Sequence, residues 1–89
     1  MIADQERREE ARREVRAWLH TRSAVASNCK AIRRGVNNEG FNFKPEEVNE
    51  ALVFLVSAKQ VEITPNDDGA TLYYQITAAG TLAHERRKN

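Results

Sequence analysis

The 89-residue sequence has little of what several common classes of protein require. Its single cysteine cannot form an internal disulfide, which fits a reducing compartment and predicts a cytoplasmic protein. No apolar run approaches the roughly 18 residues that a membrane-spanning helix needs. The first residues lack the basic and apolar regions of a secretion signal. We therefore expect a protein without disulfides, membrane spans or a signal peptide.

Side chains that perform chemistry are also scarce. The only candidates for a nucleophile, a general base or a metal ligand are His20, Cys29 and His84. They are far apart in the sequence and do not have the spacing of metal ligands. The four glycines are dispersed, so the chain has no glycine-rich loop to hold phosphates. We expect no enzymatic activity, no metal, no cofactor and no small-molecule substrate.

Charge is distributed unevenly, although the net charge is only +1. Residues 1–36 carry a net charge of +4, and residues 37–85 carry a net charge of −6. The segment Arg86-Arg87-Lys88 adds +3 near the C-terminus. A polyanion should therefore prefer the first third and the last residues of the chain to its middle.

The first helix is predicted over residues 4–20. Four apolar residues recur there at the spacing of one helix face: Ala11, Val15, Trp18 and Leu19. The remaining positions are mostly Arg and Glu, so only the second half of the helix has enough apolar residues to pack in a core. Residues 1–10 are therefore expected either to pack on a partner or to project as a helical arm.

A second helix is expected after Thr21-Arg22-Ser23, where a hydroxyl can cap it. Its buried face would consist of four residues in helical spacing: Val25, Cys29, Ile32 and Val36. Gly35 and Asn37 indicate its end, because both tolerate a left-handed backbone. Phe41 and Phe43 alternate with polar neighbours and are expected to fill the core from the following loop.

A third helix is predicted to begin at Pro45, which suits the first helical position because its missing N–H costs nothing there. Phe43 and Val48 are placed as a hydrophobic staple across that start. The predicted buried face comprises Val48, Ala51, Leu52, Leu55 and Val56. The opposite face carries Glu46, Glu50, Val53 and Ser57.

A β-hairpin and a last helix should follow. Apolar and polar residues alternate over residues 60–64 and again over residues 72–77, which predicts two strands. Between them, the segment PNDDG is typical of a turn, with Asp68-Gly69 as its tightest point. Thr77 is a suitable N-cap for a helix that runs to about Arg87. Residues 1–89 are therefore predicted to form a single α+β domain.

Two segments resemble the winged helix-turn-helix family of bacterial and phage DNA-binding proteins. The segment 51–63, ALVFLVSAKQVEI, resembles the family's recognition helix as it enters the second strand. The segment 73–80, YYQITAAG, is similar to the exit from the wing into a closing helix. The resemblance covers roughly residues 11–87. It implies a three-helix core, a two-stranded wing with its tip at residues 65–70, and a C-terminal helix.

That resemblance implies a small, non-enzymatic regulator of transcription that binds double-stranded DNA. The third helix would be the recognition helix, and the second helix would support it. The residues implied to contact DNA are Arg22, Lys30, Arg33, Arg34, Lys44, Asn49, Ser57 and Lys59. A homodimer is expected, because one small domain reads few bases.

The charge of the third helix leaves an alternative open. Glu46, Glu47 and Glu50 lie where such proteins usually offer basic or amide groups, and Asp67 and Asp68 lie at the predicted wing tip. Glu46 and Glu47 lie in the first helical turn, where acids stabilise the helix dipole, so this pair has a purely structural interpretation as well. The alternative is a winged-helix protein-interaction module, such as a phage-type inhibitor or adaptor. Its docking face would comprise Glu46, Glu50, Val53 and Phe54.

Overall fold

A computed structural model describes residues 2–65, 69 and 71–88 of the chain. The elements, in chain order, are α1 (Ile2–Thr21), β1 (Ser27–Asn28), α2 (Cys29–Asn37), α3 (Pro45–Ser57), β2 (Val61–Pro65), β3 (Leu72–Ile76) and α4 (Ala78–Lys88). The strands form one antiparallel sheet in the order β1-β3-β2. In the described ranges, no helix is both long and apolar enough to cross a membrane.

The core lies where α1, α2 and α3 meet beneath the sheet. The predicted apolar stripe of α1 is confirmed, because Ala11, Val15, Trp18 and Leu19 are all buried. The predicted face of α3 is buried except for Val56, which is only partly buried at the margin of the core. Both loop aromatics contribute as expected, with Phe43 buried and Phe41 packed beside it, their ring centroids 5.4 Å apart.

The second helix begins later than the sequence predicts. The segment after α1 turns back on itself, since the Val25 N–H donates to the Arg22 carbonyl at 2.9 Å. The chain then pairs with β3, with Ser27 opposite Tyr74, and forms a strand that the prediction lacked. Asn28 caps α2 by accepting the Ala31 N–H at 2.8 Å. The assignment of Val25 to a buried helix face is therefore wrong, and its side chain is 55% exposed.

Gly35 lies inside α2 and does not end it. The helix continues to Asn37, and Asn38 follows with an ordinary right-handed backbone. A Cβ atom at position 35 would lie 2.2 Å from Nε1 of Trp18. The glycine therefore permits the close approach of α1 and α2 that buries the Trp18 ring.

The start of α3 follows the prediction. Pro45 is the first helical residue, and Phe43 and Val48 are both buried on either side of the start. The carboxylate of Glu47 accepts the Lys44 N–H at 2.8 Å, which is one half of a capping box. The other half would require the Lys44 side chain to accept the Glu47 N–H, and the lysine ammonium has no lone pair with which to accept it.

The hairpin and the last helix are also as predicted, although the sheet has three strands where two were expected. β2 and β3 pair antiparallel, with Val61 opposite Ile76 and Pro65 opposite Leu72. Asp67 and Asp68 of the predicted turn lie outside the described residues, whereas Gly69 has φ +70°. Thr77 caps α4 by accepting the Gly80 N–H at 3.0 Å.

Candidate nucleic-acid interface

The outward side of α3 carries four exposed residues in helical spacing, which we call the outer strip: Glu46, Asn49, Val53 and Ser57. Their exposure follows from the burial of Val48, Ala51, Leu52 and Leu55 on the other side. Val53 is 60% exposed, so the strip has an uncovered apolar centre. The Ser57 hydroxyl donates to the Phe54 carbonyl at 2.7 Å, which leaves its oxygen able to accept.

Glu47 is held by α1. Arg7 donates two hydrogen bonds to its carboxylate. Nε of Arg7 donates to Oε2, and one terminal nitrogen donates to Oε1 at 3.0 Å. The same guanidinium donates to the backbone carbonyl of Asn42 at 3.2 Å. The hydrogen bonds from Arg7 are the largest cause that lowers the pKa of Glu47, and partial burial opposes them. Glu47 is therefore charged near neutral pH, and its charge is neutralised inside the molecule.

Glu50 is held in the same way by the next part of α1. Its Oε2 lies 2.6 Å from a terminal nitrogen of Arg12. The Arg12 guanidinium also lies 3.8 Å from the centroid of the Phe54 ring, which is a cation–π contact. Arg12 thus neutralises an acid and covers part of an aromatic side chain that is 41% exposed.

The third acid, Glu46, is different. It is exposed, and none of the residues that the structure describes forms an ion pair with it. The three acids that oppose a nucleic-acid role in the sequence are therefore not equivalent. Two are neutralised by arginines from α1, and one remains on the outer strip.

The basic residues proposed from the sequence lie on α2, at the N-cap of α3 and in the connections after α1 and α3. Lys44 is exposed at the N-cap of α3. Lys30 and Arg34 are exposed on α2, whereas Arg33 is half-buried. Burial raises the pKa of the Cys29 thiol, and the nearby charge of Arg33 opposes this shift without cancelling it. Within the described part of the chain, none of these four cations forms an ion pair.

The two remaining basic candidates are Arg22, whose side chain contacts an aromatic ring, and Lys59, whose backbone is held by a hydrogen bond. Arg22 follows α1, and its guanidinium lies 4.2 Å from the centroid of the Trp18 ring. Lys59 lies between α3 and β2 with φ +66°, a left-handed conformation unusual for lysine. Its carbonyl accepts the Thr77 hydroxyl at 2.7 Å, which ties this bend to the start of α4.

The structure divides the alternative protein-binding face into two parts. Glu46 and Val53 lie exposed on the outer strip. Glu50 and Phe54 lie on the flank of α3 that faces α1, where Arg12 contacts both. The four residues are thus adjacent, but half of the face is already occupied by a side chain of the same molecule.

The histidines, distant in sequence, meet in the fold. The ring centroids of His20 and His84 are 4.5 Å apart, and Nε2 of His20 lies 3.8 Å from Oε2 of Glu85. Cys29 is elsewhere, partly buried at the start of α2. Across the described ranges, no group of three or more His, Cys, Asp or Glu residues is arranged to hold a metal ion.

The comparisons with known proteins support the fold. No family model matches the sequence, and no curated protein matches it. Among solved structures, the chain is similar to a mutant of Lactococcus lactis ZitR, a winged-helix regulator, with a TM-score of 0.65 and 12% sequence identity. The chain has an α+β winged-helix fold. The match covers 84% of this chain and 49% of ZitR, so the chain spans about half the length of that regulator.

The arginines that neutralise α3 were not identified from the sequence. The sequence places Arg7 and Arg12 on the predicted first helix but does not place them against α3, because their partners lie 40 and 38 residues away. The available signal was the opposite charge of the two segments, an Arg-rich first helix and an acidic third helix. That signal predicts attraction, but it does not predict which residues pair.

Proposed function

We propose that this protein is a non-enzymatic winged-helix regulator of transcription, of bacterial or phage type, that binds double-stranded DNA. The observation that carries the proposal is the internal pairing of Glu47 and Glu50 with arginines of α1. It removes two of the three charges that would repel phosphates from α3. Asn49 and Ser57 then offer amide and hydroxyl groups to base edges from the outer strip.

The proposed binding mode places α3 in the major groove, which is about 12 Å wide and admits a helix. In this proposal six cations would contact phosphates: Arg22, Lys30, Arg33, Arg34, Lys44 and Lys59. Phosphate contacts fix the position of a protein on DNA, and base contacts select the sequence. In this mode Asn49 contributes to specificity, and the cations contribute to affinity.

We further propose that the protein binds as a homodimer. One recognition helix contacts few base pairs, and two-fold dimers bind two half-sites about one helical turn apart. The outer strip of this chain offers only two neutral hydrogen-bonding side chains, Asn49 and Ser57. A second copy would double that number.

Replacement of Arg33 and Arg34 by Ala tests the proposed phosphate contacts. We expect affinity for every duplex sequence to fall, and the slope of log K against log salt to become shallower by about two, one for each contact. Fluorescence anisotropy with a labelled mixed-sequence duplex measures both quantities. The control is R8A/R13A, which removes the same charge from α1 and should retain most of the affinity. Equal losses in the two variants would contradict the assignment of these contacts to α2.

The protein-interaction alternative is favoured by one observation, the 60% exposure of Val53 at the centre of the outer strip. Val53→Asp tests it, because an exposed position tolerates the change without loss of the core. If the alternative holds, V53D abolishes copurification of a partner in pull-down while the circular dichroism spectrum stays unchanged. Retained copurification would remove this face from the alternative.

A further inference from the structure

We propose that Arg7 and Arg12 are positioning residues of the DNA interface. They neutralise Glu47 and Glu50 so that α3 can approach the phosphate backbone, and they do so without contacting DNA. This inference rests on the proposed function and adds α1 to the machinery that binds DNA. It concerns residues that no sequence pattern of a recognition helix would identify.

The charge of α3 shows why neutralisation matters. From Lys44 to Ser57 the chain carries one basic and three acidic residues, a net charge of −2. Arg7 and Arg12 bring the charge of this surface to zero through direct ion pairs. At physiological salt the screening length is about 8 Å, so the repulsion between a carboxylate and a phosphate in contact with it would be only partly screened. Without the two arginines, α3 would repel DNA.

Glu47 cannot move away from the interface, because its carboxylate has a structural task. Its Oε1 accepts the Lys44 N–H at 2.8 Å and so caps the N-terminus of α3. The charge must therefore be neutralised where it is. Arg7 is fixed for this role by its two bonds to Glu47, its bond to the Asn42 carbonyl, and the Phe43 ring centroid 5.1 Å away.

The Arg12–Glu50 pair plays the same role one turn further along α3. Oε1 of Glu50 and Nε of Arg12 are both buried and have no hydrogen-bond partner among the described residues. Removal of Arg12 would leave a partly buried carboxylate without its counter-charge, which threatens the fold itself. In the Arg7–Glu47 pair, which lies at the start of α3, neither side chain has a buried atom without a hydrogen-bond partner among the described residues, so it is the better pair for an experiment.

A double-mutant cycle on Arg7 and Glu47 tests the inference by anisotropy at a fixed low salt concentration. Arg7→Gln exposes the charge of Glu47, and we expect affinity for a mixed-sequence duplex to fall by about tenfold. Glu47→Gln keeps an oxygen for the cap, and we expect equal or higher affinity. In the R7Q/E47Q double variant the uncompensated charge is absent, and we expect affinity within about twofold of the wild type.

A matched control is present on the same helix. Arg13 is 41% exposed and pairs with Glu14, which is 24% exposed, and the corresponding values for Arg7 and Glu47 are 40% and 25%. The Arg13 pair lies entirely on α1, so Arg13→Gln exposes no charge on α3. We expect R13Q to bind DNA with an affinity close to that of the wild type.

Recovery of affinity in R7Q/E47Q relative to R7Q distinguishes charge neutralisation from other roles of Arg7. The single variant R7Q and the double variant lose the same ion pair, so a purely structural role would weaken both equally, as would a direct contact between Arg7 and phosphate. If the wild type binds DNA and the double variant binds as weakly as R7Q, this inference is overturned and the proposed function is not. A wild-type protein that retains no duplex even at low salt overturns the proposed function and, with it, this inference.

Discussion

Lys59 shows how one residue can serve the fold through its backbone and the proposed function through its side chain. Its left-handed φ of +66° makes the bend between α3 and β2, and its carbonyl holds the Thr77 hydroxyl. A left-handed backbone costs a non-glycine residue roughly 1–2 kcal/mol. Glycine adopts the same conformation without a steric penalty, although its unfolded state is more disordered.

Lys59→Gly therefore separates stability from binding. We expect the thermal midpoint to stay the same or to rise slightly, because relief of strain offsets the entropy of glycine. We expect weaker DNA binding on all sequences and a salt slope that is shallower by about one. Lys59→Arg keeps the charge and should keep the wild-type slope. If K59G binds DNA as the wild type does, Lys59 is not a phosphate contact.

At the scale of single elements, periodic patterns gave α1, α3, the hairpin and α4 correctly, but they placed the start of α2 too early. Val25 has the right spacing for the buried face of α2, yet Ser27 pairs with β3 and Asn28 caps the helix. Strand pairing between residues 27 and 74 is not visible in local sequence. The apolar pattern alone could not decide between one more helical turn and a short strand.

The crossing of α1 and α2 depends on Gly35. An Ala side chain there would improve helix propensity by about 1 kcal/mol, but its Cβ would collide with three atoms of the Trp18 ring, the nearest at 2.2 Å. Overpacking of this kind costs about 1–3 kcal/mol. The ring is buried and carries the Arg22 guanidinium on its face, so it cannot move without further loss.

We therefore expect Gly35→Ala to lower the thermal midpoint and to decrease the free energy of unfolding by up to about 2 kcal/mol, once the gain in helix propensity is subtracted. Denaturation followed by circular dichroism measures both. Arg34→Ala, on the exposed side of the same helix, is the control and should leave stability within about 0.5 kcal/mol of the wild type. An unchanged midpoint for G35A would show that the contact between α1 and α2 adjusts at a cost no larger than the gain in helix propensity, which contradicts this account of Gly35.

For the molecule as a whole, the winged-helix architecture could be predicted from the sequence, but the electrostatics of its candidate site could not. The three acids of α3 are evident in the sequence, and they pointed towards a surface that repels DNA. The neutralisation of Glu47 by Arg7 and of Glu50 by Arg12 requires α1 to pack along α3. Only the tertiary fold brings these charges together, and the two ion pairs alter the functional interpretation of the acids.

The measurement that tests the central proposal most directly is the affinity of the wild-type protein for a mixed-sequence duplex as a function of salt. If all six proposed cations contact phosphates, log K falls linearly with log salt with a slope of roughly −5. A slope of this order establishes DNA as the partner. No binding at low salt, or an affinity that salt does not change, would contradict the proposed function and favour a protein partner for the outer strip.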